Sequence, residues 1–217
     1  GSEMCKETGF NVWRAPTDND RKLKADWYAA HYDHAATNAY HTEYTVTASG
    51  VTLHTHVGIA AICVQKFLDL DVTWTVANNG SVGLALHAKR NTVSPELPRF
   101  GLGLFLPQEM SQVNYYGMGP MECYRDKHHA ASHSSYTATV WQLHEDYIRP
   151  QENGSHFDCD YVMLAGDAVR LTAVGTQPFS FNASHYTQEE LTRKAHNYEL
   201  EPVSYTHLRA HETSAHL

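Results

Sequence analysis

A chain of 217 residues with 16 Lys and Arg against 24 Asp and Glu carries a formal charge of −8, and 42% of its residues are hydrophobic. A chain of this length buries roughly 70% of its unfolded surface on folding, and the composition excludes collagen-like and wholly disordered classes. The negative balance repels phosphate backbones and anionic lipid, so neither nucleic acid nor a membrane is an expected partner.

No stretch approaches the ~18 apolar residues of a membrane span, and the opening GSEMCKETGF lacks the basic-then-apolar order of a signal peptide. Residues 1–9 read as a lead-in. Asp18-Asn19-Asp20, after Arg14-Ala15-Pro16-Thr17, form a dense polar turn in which Asx side chains cap exposed N–H groups. Residues 21–30 set Leu23, Trp27 and Ala30 on one helical stripe. Period-two runs predict strands at 43–47, 51–57 and 60–68. In LDLDVTWTVAN, Leu70, Val72, Trp74 and Val76 share one face, and Asn78-Asn79-Gly80-Ser81 turns the chain into a returning strand at 82–87. Further strands are predicted at 100–106, 112–116, 136–142, 157–164, 168–174 and 179–183. Thr187-Gln188-Glu189-Glu190 has the capping-box order, with Thr187 as N-cap and Glu190 reaching back, before a helix to about His196. Many short strands with two short helices predict an all-β fold of packed antiparallel sheets, one domain over residues 10–202. The last fifteen residues, VSYTHLRAHETSAHL, show no strand alternation and resemble translated sequencing-adapter DNA, so 203–217 read as a non-native tail.

The chain holds 16 histidines and four cysteines. Cys5, Cys63, Cys123 and Cys159 form no C-x-x-C pair and are expected as free thiols. His54 and His56 would point to one face of a strand, as a zinc pair does, yet Val51, Leu53, Thr55 and Val57 opposite them favour two solvent-facing rings. His128, His129 and His133 lie near Glu122 and Asp126 without a further spaced ligand set, so no metal site is expected. Glycoside hydrolysis needs two carboxylates about 5–9.5 Å apart. Glu122, Asp126, Glu152 and Asp158 are available, each beside turn-forming residues where a carboxylate more often organises the backbone. No nucleophile elbow, phosphate loop or dinucleotide fingerprint occurs. Residue by residue, the chain reads as a β-sandwich with no catalytic set of its own.

Five segments go further. NVWRAPTDND (11–20), LPRFGLGLFLP (97–107), NYYGMGPMECYRDK (114–127), YIRPQENG (147–154) and FSFNASHYTQEELTRKAH (179–196) together resemble the C-terminal small-chain domain of family 2 β-galactosidases. Met118, Cys123 and Arg125 depart from the usual Arg, Asn and Pro of that pattern. The resemblance implies a galactose mutarotase-like supersandwich of two large antiparallel sheets with short peripheral helices. It implies a parent enzyme that cleaves terminal β-D-galactosides such as lactose with retention, through two Glu on a TIM barrel outside this chain, with Mg²⁺ and Na⁺. It further implies a homo-oligomeric parent, and leaves the compartment open between bacterial cytoplasm and periplasm. The family's substrate-contacting Trp loop lies beyond the point where this chain diverges at Pro202, so no catalytic residue carries over. Arg14, Asp18, Asn19, Asp20, Glu152 and Asn153 are the positions expected to face the barrel or the sugar, and the chain alone is expected to be inactive, needing no cofactor itself. Alternatives from other classes are an aldose 1-epimerase, with a Glu base and a His acid, and a non-catalytic carbohydrate-binding module.

Overall fold

A computed structural model describes residues 9–61 and 64–211. It contains eleven strands: β1 (Gly9–Asn11), β2 (Ala36–Thr47), β3 (Gly50–Ala60), β4 (Leu68–Ala77), β5 (Val82–Arg90), β6 (Gly101–Pro107), β7 (Gln112–Gly119), β8 (Ser132–Thr139), β9 (Ser155–Ala165), β10 (Arg170–Ser184) and β11 (Tyr205–His211). The two α-helices are short, α1 (Lys24–Ala29) and α2 (Gln188–Arg193). The fold is therefore mostly β, with antiparallel sheets of seven and four strands. Each sheet belongs to its own compact unit, one formed by the described residues up to Lys22 and from Pro98 onward, the other by Leu23–Leu97. Residues 23–97, inside the stretch read from sequence as one domain, thus make a unit of their own.

The smaller unit is an up-and-down sheet in the order β2-β3-β4-β5. The turn at Asn78–Ser81 closes as its sequence requires, with Gly80 at φ 85°, where a side chain would be strained. Register places Tyr44, Leu53, Trp74 and Leu84 in one cross-strand row and Val46, Val51, Val76 and Val82 in the next. His41, His56, Asp71 and His87 form a row on the opposite face. Of the strand predicted over 60–68, the described residues 61 and 64–67 lie outside any strand, β3 ending at Ala60 and β4 beginning at Leu68, and residues 62–63 lie outside the described residues. The Phe67 N–H donates to the Ile59 carbonyl.

The larger unit is ordered β1-β6-β11-β10-β9-β7-β8. Its core gathers Val113 and Tyr115 from β7, Val162 and Leu164 from β9, Phe181 from β10 and Leu208 from β11, all buried. The strand predicted to run to residue 142 stops at Thr139, because Thr139 caps a 3₁₀ turn over Val140–Leu143 by accepting from the Gln142 N–H at 3.3 Å. Thr187 caps α2 as predicted, its hydroxyl accepting from the Glu190 N–H at 3.0 Å. The Glu190 carboxylate does not reach back to the cap. It turns forward to the Glu201 N–H at 3.0 Å and to Arg193 at 2.6 Å.

The main correction concerns the end of the chain. Tyr205–His211, read from sequence as lacking alternation, form β11 between β6 and β10, antiparallel to both. Thr206, Leu208 and Ala210 alternate toward the apolar side, opposite Leu106, Leu104 and Leu102. That face is only weakly apolar, which is why the period was not legible. The other face sets Arg209 and His211 across from Gly103 and Gly101, so bulk on one strand meets none on the next. Residues 212–217, including His216, lie outside the described residues, as do Cys5 and Cys63; Cys123 and Cys159 are buried free thiols.

Candidate functional site

Five of the six expected site residues meet in one polar hub of the larger unit. Arg14 holds Asp20 in a forked pair, with Nη1–Oδ2 at 2.6 Å and Nη2–Oδ1 at 2.8 Å, and its Nε donates to the Pro98 carbonyl at 3.1 Å. Thr17 adds its N–H to Asp20 Oδ2 at 2.7 Å. Burial opposes ionisation of Asp20, yet the Arg14 and Thr17 donors outweigh it and hold the carboxyl below its ordinary value. Glu152 pairs with Arg99, both side chains being almost fully buried. Asn153 accepts from the Glu145 N–H at 3.1 Å, and its carbonyl receives the Asn182 amide at 2.6 Å. Asn182 in turn accepts from Arg209 at 3.2 Å. Burial lowers the Arg209 guanidinium to about 10.

Hydrogen bonds between segments tie the hub together. The Ala15 N–H donates to the Gln188 side chain, the Glu152 N–H to the Ala15 carbonyl at 3.3 Å, and the Asp18 N–H to Gln151 Oε1 at 3.0 Å. Segments 11–20, 97–107, 147–154 and 179–196 therefore converge on one place. Asp18 and Asn19 project from it into solvent. Asp18 joins only through its backbone, and Asn19 is not drawn in.

Glu122 organises a second centre. Its Oε1 accepts from Lys127 Nζ at 2.8 Å and from the Tyr147 hydroxyl, and its Oε2 accepts from the Gly154 N–H at 2.9 Å and the Tyr124 hydroxyl at 3.2 Å. Burial pushes this carboxyl up, but Lys127, Tyr147 and Gly154 together hold it below its usual value. Gly154 sits at φ 67°, and a Cβ there would come within 2.3 Å of the Leu143 carbonyl oxygen, so glycine is required beside Glu122. A pocket of about 300 Å³ opens next to it, lined by Met121, Glu122, Lys127, Glu145, Asp146 and Tyr147.

Two of the four carboxylates singled out from sequence have protein cations as partners: Glu122 accepts from four donors and is held below its usual value, and Glu152 pairs with Arg99, while Asp126 is exposed. Among the described residues, no three His, Cys, Asp or Glu side chains are grouped to hold a metal ion. His54 bonds Thr73 at 2.9 Å, and His56 bonds Asp71 at 2.9 Å and Asp69 at 3.2 Å, on the polar face of the small sheet. His133 donates to the Asp158 carbonyl at 3.0 Å, and His128 and His129 stack on one another.

Comparison with known proteins decides what this architecture is. The family described as Beta galactosidase small chain matches residues 1–215. The chain belongs to the β-galactosidase small-chain family. Over 197 residues it is 43% identical to the β-galactosidase of Actinobacillus pleuropneumoniae, covering 91% of this chain and 19% of that protein. It is 36% identical over 205 residues to the β-galactosidase of Staphylococcus xylosus, covering 94% of this chain and 21% of that protein. The β-galactosidase of Vibrio cholerae is 32% identical over 203 residues. This small-chain member thus spans about a fifth of the length of the curated relatives it matches.

Sequence reasoning missed four partners of the small-chain hub: Arg99, Asn182, Gln188 and Arg209. Arg99 lies inside the motif at 97–107, but a pairing 53 residues away leaves no local spacing to read. His156 was missed too. It is buried between Tyr115 and Phe181, ring centroids at 4.6 and 5.2 Å, and its Nδ1–H donates to the Met118 carbonyl at 3.2 Å. Burial lowers this imidazole to about 4, against the opposing pull of the Met118 carbonyl and Glu122. Its folded pKa lies below the unfolded value of about 6.5, so its contribution is intact above that value and lost as pH falls toward 4. Between pH 7 and 5 the loss is about 2 kcal/mol. His156→Phe, which keeps the stack on Phe181, is expected to flatten this slope in urea melts at the two pH values. An unchanged slope would show that His156 is not its source.

Proposed function

We propose that this chain is the C-terminal β domain of a β-galactosidase that hydrolyses terminal β-D-galactosides such as lactose, and that it supports the barrel and active-site rim without catalysing hydrolysis itself. The observation that carries the reading is the match to about one fifth of the length of β-galactosidases, in a chain where the buried carboxylates Glu122 and Glu152 have protein cations as partners. The general acid and the nucleophile then belong to a TIM barrel elsewhere in the parent, and the two sheets are parts of a mutarotase-like supersandwich. Mg²⁺ and Na⁺ are expected for the parent; among the described residues, Asp20, Glu122 and Glu152 are each held by a protein cation.

In this reading Arg14, Asp20, Glu152 and Asn153 form the support. Asp18 and Asn19, at its exposed tip, face the barrel or the sugar. The parent assembles as a homo-oligomer. The purified chain is expected to release no nitrophenol from a chromogenic β-galactoside above buffer, while the Actinobacillus enzyme turns it over under the same conditions. Turnover by the chain alone would overturn the proposal.

A further inference from the structure

The four-stranded sheet is amphipathic across its whole width. On one face stand Glu43, His54, His56, Asp71 and His87; on the other run the aliphatic and aromatic rows set by the strand register. The apolar face is buried at one end, where Leu70 and Val72 are nearly inaccessible. At the other end it stands open: Tyr44 is 71% exposed, Val46 66% and Val82 59%, and along the β5 edge the opening extends to Leu86, the partner of Val72, at 40%. A charged surface with one bare apolar quarter is not what solubility selects, and contiguous patches of this kind mark contacts.

The size of the patch narrows the occupant. Four strands about 4.8 Å apart and two open rows about 7 Å apart give a plan area of roughly 270 Å². A stable complex of separate molecules buries about 800 Å² per partner. A patch about a third of that size holds a partner well only when the two are tethered in one polypeptide, where the effective concentration is high. Resting on the reading above, about four fifths of the parent chain lies outside these residues. The exposed face is also uncharged, although the chain carries −8 overall, so it fits an apolar surface better than a basic one.

We infer that the open end of this apolar face, around Tyr44, Val46, Val82 and Leu86, is a docking surface for an uncharged apolar face of the remaining parent polypeptide. The test compares hydroxyl-radical footprints of the 217-residue chain with those of the Actinobacillus β-galactosidase whose matching fifth has been replaced by this chain. Tyr44 and Leu86 are expected to be oxidised about fivefold or more slowly in the chimera than in the chain alone. His54 and His87, on the opposite face, are expected to react alike in both. Should the chimera not assemble, the same footprint on the Actinobacillus enzyme, at the residues aligned with Tyr44 and Leu86, reads the same contact.

Equal reactivity of Tyr44 and Leu86 in a chimera that hydrolyses galactosides overturns the docking surface and leaves the proposed function standing. Protection in a folded chimera without hydrolysis supports the docking surface and counts against the proposed function. Protection in the chain alone that rises with concentration assigns the face to a second copy, and protection there at every concentration assigns it within the chain. Either result overturns the proposal.

Discussion

Glu152→Ala is expected to destabilise the chain by about 3–5 kcal/mol, the cost of leaving a buried charge without its partner. Glu152 and Arg99 are almost fully buried, and Arg209 lies close enough to feel both. Removing the carboxylate leaves the buried cations Arg99 and Arg209, which repel one another, without it. Among the described residues, neither Glu152 Oε2 nor Arg99 Nη1 finds a further hydrogen-bond partner, so no alternative acceptor takes over. The double substitution Arg99→Met with Glu152→Leu removes both charges and is expected to recover more than half of the loss. Urea unfolding of the three proteins, at constant slope, measures this. A single Glu152→Ala variant as stable as the parent chain would show that the pair does not hold the hub.

Ending the chain at Pro202 is expected to abolish cooperative unfolding altogether. Strand β11 is an interior strand of the larger sheet, bonded to β6 on one side and β10 on the other. Its loss uncovers both edges and takes Leu208, 1% exposed, out of the core. Deleting such a side chain alone costs about 2–5 kcal/mol, and the whole strand approaches the ~5–15 kcal/mol that stabilises an entire domain. Differential scanning calorimetry decides it. A chain of 202 residues that melts as sharply, and at the same temperature, as the 217-residue chain would show that β11 contributes nothing.

Alternation made most of the fold legible. Leu70, Val72, Trp74 and Val76 announce β4, and Asn78–Ser81 announces its hairpin, because period and turn chemistry are local. Strand β11 escaped because its inward residues include Thr206 and Ala210, which carry little apolar signal, while its other face holds Arg209 and His211. The burial of Arg209 depends on neighbours more than 20 residues away in sequence. In the hub, the dense turn at 14–20 showed where polar side chains gather. It did not show that Arg14 takes Asp20, and not Asp18, as its forked partner. Glu122 looked like a candidate acid by residue type. Only the convergence of Lys127, Tyr147 and Gly154 reveals a carboxylate locked in its ionised form.

The placement of β11 also dictates an order of events during synthesis. Strands β1 and β6 emerge from the ribosome long before Tyr205, yet within the larger sheet they meet β10 only through this last strand. The early strands must wait, unpaired on that edge, until residues 205–211 have been made. Such late closure of distant segments is slow and leaves exposed apolar surface and an open strand edge in the meantime.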